Sequence, residues 1–521
     1  MKYLYGASIQ GIQNFIFQSN KLAEIVGASE LVEEICTTKF AQLISSDSLS
    51  VSDSLYDDAK DDLRKDPNAI LNAAGNIKYI FPSREECAKV VREFPRMISE
   101  YAPGISINQA VVELEDDQTF SKAVEELERR LKVQRNRHSR STTLGLMGIQ
   151  RSRTTGLPVV RVEGEQHLDK STISKLYENK DGLMRRKSTY NLCKKAFGDQ
   201  NLEEGRVAFN IEDITHKNDW IAVIHADGNG LGNVVKKVGK NDELFKKFSD
   251  RLDRATVNAA VAAYKSLDLK NEKRIPIRPI VLGGDDLTII CRADLALKYT
   301  SVFIKEFEEQ TNILLGDMLI KQNVFTQGEI RDRLTACAGI AYVKSSFPFY
   351  YSYELAEQLC RAAKADAKND DDIKASLALP QSCVLFHKVQ GSYTEDYQQI
   401  LQRELMPQEH LSFHFGPYYI KKKDARWTLD KLMDYVGAMR LDQGDTVKSR
   451  IRKWITLLFE NHEAAQQELD RLKTIKKNSL LDLNEMTGWA PRRIWNMDVN
   501  TCPAYDILSI HTIETQETKQ K

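Results

Sequence analysis

Residues 275–290 are Ile-Pro-Ile-Arg-Pro-Ile-Val-Leu-Gly-Gly-Asp-Asp-Leu-Thr-Ile-Ile, and the fold of the chain is decided by this stretch. One apolar run enters the tetrad Gly283-Gly284-Asp285-Asp286 and another leaves it, which predicts a hairpin turn between two buried strands. The glycines permit a tight turn and let a ligand approach the backbone. Adjacent carboxylates repel each other unless a cation lies beside them, and hard divalent cations such as Mg²⁺ take oxygen ligands. The tetrad is therefore a candidate metal site, although Asp and Gly are also ordinary hairpin residues.

A second motif lies upstream. The apolar run 220–226 predicts a strand that ends at Asp227, and the next residues are Gly-Asn-Gly-Leu-Gly. This motif adds a third carboxylate and a glycine-rich turn, 228–232, whose backbone N–H groups are suited to phosphate. Asp227 and Asp285 are 58 positions apart. That spacing leaves room for one helix, and residues 243–267 have helical periodicity.

The composition excludes several classes of protein. A length of 521 residues predicts several domains, and 42% hydrophobic with 28% charged residues is typical of a globular protein. The formal net charge is zero, so any nucleic-acid contact must be a local patch. We expect no membrane span and no signal peptide. The eight cysteines are scattered without a CxxC pair, which indicates reduced thiols of a cytoplasmic protein and no disulfide or zinc site.

The N-terminal region repeats the two motifs. Residues 3–17 align without a gap on residues 222–236, and residues 70–77 align on residues 280–287. We interpret this as an internal repeat of one domain type. Chance similarity of two strand-turn segments is the alternative. The first copy has lost all three candidate ligands: Ser8 stands for Asp227, Gly75 for Asp285 and Asn76 for Asp286. The first copy is thus expected to be a structural or regulatory partner of the second.

A basic segment follows the first copy. Residues 129–155 contain eight Lys or Arg and no Asp or Glu, and residues 185–187 add three more basic residues. In a chain of zero net charge this local asymmetry is suited to a phosphate backbone, with Arg135, Arg137 and Arg140 as candidate RNA contacts. A solvated loop is the alternative.

The later chain offers one more candidate. Residues 334–343 predict the last strand of the second copy, and residues 352–368 predict an amphipathic helix with Lys364 near its end. A lysine there is placed to reach a triphosphate, and simple placement at a helix C-terminus is the alternative. Beyond residue 400, helical patterns dominate at 427–441 and 448–472, and we find no chemistry there.

Together these features resemble a known family. The strand ending in Asp227, the glycine turn, the hairpin with its acidic tip and the helix ending in Ala363-Lys364 resemble the palm of nucleotide polymerases and cyclases. The GGDD form and the degenerate upstream palm resemble the large polymerase-like subunit of type III CRISPR effector complexes, the Cas-ten family. Three further segments are similar to that family: Gly11-Ile12-Gln13-Asn14-Phe15-Ile16, Gly27-Ala28-Ser29 and Ala338-Gly339-Ile340-Ala341.

The resemblance implies an α+β fold of two ferredoxin-like palm domains plus a helical C-terminal domain. The expected domains are a degenerate first palm at 1–130, a basic linker or small helical domain at 131–214, the GGDD palm at 215–395 and the helical domain at 396–521. The resemblance also implies that the second palm makes cyclic oligoadenylate second messengers from ATP in antiviral defence. Guide RNA, target RNA and other effector subunits are the implied partners. Many members of the family begin with an HD nuclease, but here no His is followed directly by Asp.

The expected site is a two-ion centre for nucleotidyl transfer. Two Mg²⁺ or Mn²⁺ ions would be held by Asp227, Asp285 and Asp286. The residues expected to bind the nucleotide are Gly228, Asn229, Gly230, Leu231, Gly283, Gly284 and Lys364. Two alternatives stay open: a nucleotide cyclase or cyclic-dinucleotide synthase of the same palm class, and a non-catalytic scaffold that binds RNA. The sequence leaves open the product ring size, the base, the activating signal and the oligomeric state.

Overall fold

The structure is a computed structural model of the 521-residue chain. It describes residues 1–44, 63, 66–73, 75–114, 120–136, 148–177, 190–215, 220–238, 241–320, 333–369, 379–391, 396–423, 426–441, 445–475, 481–494 and 497–515. The fold is mixed α and β, as expected. Among the helices of these segments, none is long and apolar enough to cross a membrane. All eight cysteines are buried and free, which confirms that they form no disulfide.

The strands and helices are numbered in chain order. The strands are β1 Lys2–Gln10, β2 Ala69–Ala73, β3 Asn76–Phe81, β4 Ser106–Leu114, β5 Val159–Glu163, β6 Gln166–Asp169, β7 Trp220–Gly228, β8 Ile277–Gly283, β9 Asp286–Arg292, β10 Ala336–Lys344, β11 Cys383–Lys388, β12 Leu411–Ser412, β13 Tyr418–Tyr419, β14 Ala490–Ile494 and β15 Met497–Thr501. The α-helices are α1 Ile12–Ile16, α2 Leu22–Glu34, α3 Phe40–Ile44, α4 Arg84–Tyr101, α5 Phe120–Arg135, α6 Lys170–Leu176, α7 Asn191–Phe197, α8 Ile211–Thr215, α9 Leu231–Val238, α10 Asp242–Lys265, α11 Ala296–Ile320, α12 Phe349–Lys368, α13 Tyr397–Ile400, α14 Leu429–Leu441, α15 Asp445–Glu460, α16 His462–Ile475, α17 Leu483–Met486 and α18 Ala504–Thr515. Short π-helical turns lie at Ile35–Lys39 and Leu401–Leu405, and 3₁₀ turns lie at Glu204–Arg206 and Ala293–Leu295.

The first palm is a four-stranded antiparallel sheet with the order β2-β3-β1-β4. Its chain order is strand, helices, hairpin, helix, strand, which is the ferredoxin-like arrangement. Helix α4 shows why this sequence is helical. The hydroxyl of Ser83 accepts a hydrogen bond from the Glu86 N–H at 3.2 Å, and Val90, Phe94 and Ile98 form its buried face.

The second palm repeats this arrangement. Strands β8-β9-β7-β10 follow the same order, and β11 and β13 extend the sheet beyond β10. The cross-strand register is also the same, because Ala7 lies opposite Ile77 in the first sheet and Ala226 lies opposite Leu287 in the second. These four residues are paired with each other in the sequence alignment of the repeat. The structure therefore confirms the internal repeat, and the fold class of two ferredoxin-like palms is correct.

The two palms pack against each other in a reciprocal way. Helix α2 of the first palm contacts β8, and helix α10 of the second palm contacts β2, which is the equivalent of β8. The Ser29 hydroxyl donates to the carbonyl of Ile280, and Gln13 Nε2 donates to the Tyr353 hydroxyl at 2.9 Å. The Phe17 ring stacks on Tyr353 with 4.5 Å between centroids. The seam between the palms is thus a packed interface.

Between the palms lie a hairpin that the sequence did not predict and several short helices. The hairpin β5–β6 precedes α6, whose first turn is capped by the buried Asp169 carboxylate. Helix α6 packs on α2, and the close approach requires Gly27, because a Cβ at this residue would lie 1.8 Å from the Lys175 carbonyl oxygen. Helix α7 packs on α10 and β8 of the second palm. This region therefore bridges the two palms.

The C-terminal region is mostly helical but also contains a small sheet, β12-β15-β14. The predicted helix at 448–472 is wrong in one respect. It is two helices, α15 and α16, because Asn461 interrupts the pattern and its Oδ1 accepts from the Ala464 N–H at 3.0 Å. Strand β13 lies beyond residue 395, yet it pairs with β11 of the second palm. The domain boundaries stay predictions.

One half-buried carboxylate ties the C-terminal region to α12. Asp366 accepts two contacts of 2.7 Å from Arg426 Nη2 and one of 3.0 Å from Arg492 Nη2. The Tyr419 hydroxyl donates to it at 2.8 Å. A poorly solvated charge is tolerated when it is paired and hydrogen-bonded, and here the two arginines supply that compensation. These contacts therefore fix the C-terminal part of α12, two residues after Lys364.

Candidate active site

Three carboxylates meet at one edge of the second sheet. Asp227 ends β7, and the β8–β9 turn places Asp285 and Asp286 next to it, because β7 pairs directly with β9. One ligand oxygen of each of the three lies within 4.8 Å of the others. The three residues are half-buried. The structure thus brings together the three predicted ligands of a hard divalent cation.

The electrostatics of the cluster favour a cation. Burial, followed by the charges of Asp286 and Asp227, raises the pKa of Asp285 to about 8. Burial and the charge of Asp227 raise the pKa of Asp286 to about 7, although Lys364 opposes this shift. Three ionised carboxylates this close repel each other in a poorly solvated site. The donor set of three oxygens therefore fits one or two Mg²⁺ or Mn²⁺ ions, whose charge would offset the repulsion.

Lys364 supplies a positive charge that partly balances the three carboxylates. Its Nζ forms an ion pair with Asp227 Oδ2 and donates to the Gly228 carbonyl at 2.8 Å. Burial alone would lower the pKa of Lys364, but the Asp227 carboxylate outweighs it and the pKa is raised. The lysine therefore stays charged. Its side chain reaches the end of β7 from α12. Binding of a triphosphate by Lys364 stays a prediction.

The glycine-rich turn is held by contacts with the residue before β10. The Asn229 N–H donates to the Thr335 carbonyl at 2.8 Å, and its Nδ2 donates to the Thr335 hydroxyl at 3.1 Å. Asn229 is fully buried, and these contacts fix the turn that follows β7. Nucleotide binding by Asn229 stays a prediction. Gly228 permits a close approach, because a Cβ there would lie 3.0 Å from Asp285 Oδ2.

The other predicted nucleotide contacts lie around the cluster. Gly230 has a φ of 69°, a left-handed conformation suited to glycine, and helix α9 begins at Leu231. Gly283 closes β8 opposite Asp286, and Gly284 follows it in the turn with a φ of 61°. These backbone positions surround the carboxylates. Nucleotide binding by them stays a prediction.

A cavity of about 830 Å³ opens beside the carboxylates, between the palms. The first palm lines it with residues of α1 and α2, and the bridging region lines it with residues of α7. The second palm contributes β8, β9, α10, His225 and Tyr353. Its polar lining includes Gln13, Ser29, Glu30, Lys194, Lys195, Asp253, Asn258 and Asp286. His225 is a packed strand residue, with its Nδ1 3.2 Å from the Thr288 hydroxyl.

The equivalent position in the first palm has neutral groups. Ser8 Oγ donates to Asn76 Oδ1 at 3.0 Å, and Gln10 Nε2 donates to Ser8 Oγ at 3.2 Å. Within the described part of the chain, Asp227, Asp285 and Asp286 are the only group of three or more acidic, histidine or cysteine residues arranged to hold a metal. The first copy therefore keeps the fold without its ligands.

The basic segment is only partly described. Arg135 is exposed at the end of α5, whereas Arg137 and Arg140 lie outside the described residues. Arg129 and Arg130 both form ion pairs with Glu126 at 2.7 Å. Part of their positive charge is therefore neutralised by Glu126 within α5. RNA binding by this segment stays a prediction.

Sequence reasoning missed the residues that hold the acidic turn. Asp253 and Thr256 lie one turn apart on α10, and Lys195 lies on α7. All three contact the peptide groups of residues 282–284. One signal was available, because Asp253 and Thr256 interrupt the apolar face of a helix that was already predicted. No local pattern marks Lys195.

Comparisons with known proteins agree with this geometry. Residues 220–375 match the family model of the Cas10/Cmr2 second palm domain. No protein of curated function matches the sequence. A Csm1–Csm4 cassette in complex with cA4 has a TM-score of 0.53 at 12% identity, covering 98% of this chain and 70% of that chain. A cassette in complex with AMPPNP has a TM-score of 0.53 at 13% identity, with 98% and 69% covered. Csm1 of T. onnurineus has a TM-score of 0.51 at 12% identity, again with 98% and 69% covered.

At such low sequence identities the solved structures establish a shared fold only. The family model adds which family the segment with the acidic cluster matches. The resemblance found in the sequence is confirmed at both levels. Residues 220–375 therefore match the second palm domain of the Cas10/Cmr2 family, in a chain that is similar in fold to Csm1 over nearly its whole length.

Proposed function

We propose that this chain is the large subunit of a type III CRISPR effector complex, and that its second palm makes cyclic oligoadenylates from ATP. One observation carries the proposal: Asp227, Asp285 and Asp286 meet beside a cavity that both palms line. Similar structures are described as Csm1–Csm4 cassettes in complex with cA4, cA3 and AMPPNP, which supports adenine nucleotides as the ligand class.

The three carboxylates would hold the metal ions. When bound, two Mg²⁺ or Mn²⁺ ions lower the pKa of an attacking ribose hydroxyl and stabilise the leaving pyrophosphate. Asp227 and Asp286 come from neighbouring strands, and Asp285 comes from the turn between β8 and β9, so the ligands have a rigid frame. Lys364 keeps Asp227 oriented and adds a positive charge where triphosphate charge develops.

The cavity would hold the acceptor nucleotide. Its volume of about 830 Å³ lies within the range of small-molecule sites, about 300–1,000 Å³. Gln13, Ser29 and Glu30 of the first palm line it, and their hydrogen bonds to Tyr353, Ile280 and Leu192 fix the shape of this wall. The first palm thus contributes to the reaction by binding a substrate and needs no metal of its own.

We also propose partners for this subunit. The similar Csm1 chains occur with Csm4 and in a type III-A CRISPR–Csm interference complex. A Csm4-like subunit and a guide or target RNA are accordingly the expected partners of this chain. The arginine-rich segment 129–155 is the candidate RNA contact.

The deciding experiment incubates the purified chain with ATP or with GTP in the presence of Mn²⁺, with and without target RNA, and identifies the products by mass spectrometry. We expect cyclic oligoadenylates from ATP, and none from the Asp285→Asn, Asp286→Asn variant. A cyclic mononucleotide or dinucleotide would instead support a cyclase or a dinucleotide synthase. If neither nucleotide gives a product in the presence of RNA and partner subunits, the catalytic proposal is wrong.

A further inference from the structure

The turn that carries Asp285 is held by side chains from outside its own hairpin. The Gly284 N–H donates to Asp253 Oδ1 at 3.3 Å, and the Thr256 hydroxyl donates to the Gly284 carbonyl at 2.6 Å. Both side chains come from α10 and both are buried. The two peptide groups that flank the Gly284 Cα are thus fixed by one helix.

A third residue extends this arrangement. Lys195 Nζ donates to the Leu282 carbonyl at 2.9 Å and lies 3.4 Å from Asp253 Oδ1. A buried carboxylate is costly unless it is paired, so Lys195 compensates the charge that Asp253 brings under the turn. Helix α7 belongs to the bridging region between the palms, and Lys195 also lines the cavity. The contacts therefore run from the cavity wall to the turn.

We infer that Asp253, Thr256 and Lys195 are positioning residues for metal binding at the acidic turn. Asp253 and Thr256 act by fixing the Gly284 peptide groups from which Asp285 follows, and Lys195 acts by holding the Leu282 carbonyl and pairing with Asp253. Groups that orient metal ligands in this way typically change metal affinity by about 10–100-fold when removed. The inference rests on the proposed metal site, and it deepens that site by extending it to α10 and α7.

The physical reason is the conformation of the turn. Gly284 has a φ of 61° and no atom within 4 Å of the place where a Cβ would lie, so its own packing does not hold it. A glycine loses more backbone freedom on ordering than any other residue. With the carboxylates repelling each other, the turn would relax away from Asp227 unless both peptide groups were fixed. The three side chains supply that restraint before any ion binds.

The test uses an isosteric pair of substitutions in the full chain. Thr256→Val removes the hydroxyl that donates to Gly284. Thr300→Val is the matched control, because Thr300 is also fully buried in a helix and its hydroxyl bonds only the Ala296 carbonyl, at 2.8 Å, of its own helix α11. Thr256→Ser should restore the hydroxyl. Mn²⁺ affinity without nucleotide is measured by electron paramagnetic resonance, and the melting temperature is measured beside it.

We expect Thr256→Val to weaken Mn²⁺ binding by about tenfold, with Thr256→Ser and Thr300→Val close to wild type. Asp253→Leu and Lys195→Met should weaken Mn²⁺ binding in the same direction. When ATP is turned over, Thr256→Val should lower kcat more than it changes KM. Equal Mn²⁺ affinity in Thr256→Val and wild type would overturn the inference. A loss of Mn²⁺ affinity in Thr300→Val as large as that in Thr256→Val would also overturn it. If the wild type binds Mn²⁺ through Asp285 but makes no product, the proposed function fails and the positioning role stands.

Discussion

Ser8 and Asp227 occupy the same register position in two sheets with the same strand order. Ala7 pairs with Ile77 and Ser8 with Asn76 in the first sheet, whereas Ala226 pairs with Leu287 in the second, with Asp227 next along β7. The loss of the metal ligands in the first palm is therefore local, and the backbone frame around the lost site is intact. This relationship decides what can be expected from attempts to restore the first site.

We expect the variant Ser8→Asp, Gly75→Asp, Asn76→Asp to gain no second active centre. Gly75 has a φ of 79°, and a Cβ there would lie 2.4 Å from Ile12 Cδ1, so an aspartate at this position is strained and displaces Ile12. Product yield per chain should not exceed that of wild type. Mn²⁺ titration should show at most weak extra binding, and a second tight site would contradict this expectation.

The variant Asp285→Asn, Asp286→Asn should lose nucleotide polymerisation and Mn²⁺ binding but keep its fold. Because the wild-type carboxylates repel each other without metal, the metal-free variant should melt no lower than wild type. Calorimetry and product analysis check the two parts. Asp268→Asn, an exposed change on the same palm, is the control. An unfolded double variant, or one with full activity, would count against the metal site.

Lys364→Met should make metal binding more dependent on pH. The charge of Lys364 lowers the pKa of Asp286, which burial and Asp227 raise to about 7. Removing the lysine raises that pKa further, so protons compete with Mn²⁺ up to a higher pH. We expect Mn²⁺ affinity to rise more steeply between pH 7 and pH 9 in Lys364→Met than in the wild type, because more of the carboxylate loses its proton in that range. Lys368→Met, on the exposed end of α12, should leave the profile unchanged.

The arginine-rich segment predicts how RNA binding depends on salt concentration. If it contacts RNA phosphates, replacing Arg135, Arg137 and Arg140 by Ala should weaken RNA binding and flatten its salt dependence. Each lost contact with single-stranded RNA should remove about 0.7 from the slope of log K against log salt. Arg96→Ala, which removes an exposed arginine paired with Glu100 on α4, is the control. A slope that does not change would make the segment a solvated loop.

Glu30 predicts a pH dependence of stability. Burial raises its pKa to about 8, although the Leu192 N–H, which donates to it at 3.0 Å, opposes the shift. The folded chain therefore holds this proton while the unfolded chain has lost it, so stability falls as pH rises from about 4.5 to 8. The loss is at most about 1.4 kcal/mol per pH unit.

Glu30→Gln keeps an oxygen for the Leu192 N–H and removes the titration. Urea unfolding should show that the free energy of unfolding of the variant, relative to wild type, is larger at pH 8 than at pH 5, because the variant has no charge to bury. The exposed Glu93→Gln should show no such gain. If the difference between Glu30→Gln and wild type is the same at both pH values, Glu30 does not titrate as described.

The sequence predicted the parts of the site that local patterns encode. Strand ends, the hairpin tip and the amphipathic helix with Lys364 each have a short-range signature, and each is found where it was predicted. The repeat added long-range information, since aligning Ser8 with Asp227 also predicted the cross-strand register. Boundaries were less well determined. The helix predicted at 243–267 spans Asp242–Lys265, and a second helix, α9, precedes it, so two helices separate Asp227 from β8.

What the sequence did not predict depends on contacts between distant segments. The contact of Asn229 with Thr335 could not be predicted, because the two residues lie 106 positions apart. Lys195 was not singled out, since its role appears only when α7 lies against β8. The hairpin β5–β6 and the small C-terminal sheet have strands of two to five residues, too short for alternation to distinguish them from loops.

The close packing of α12 on the second sheet distinguishes the second half of the chain from the first. In the second sheet His225 lies opposite Gly339, where a Cβ would meet the Ala356 carbonyl oxygen at 2.0 Å, so only glycine fits beneath this helix. The equivalent pair in the first sheet is Gly6 and Ala110, and there the close contact is made at Gly6 with the Leu127 side chain. The glycine lies on β10 in the second sheet but on β1 in the first. Helices α12 and α5 therefore pack differently on otherwise equivalent sheets. The two halves therefore differ in the helix layer behind the sheet as well as in the metal ligands, and one half cannot simply substitute for the other.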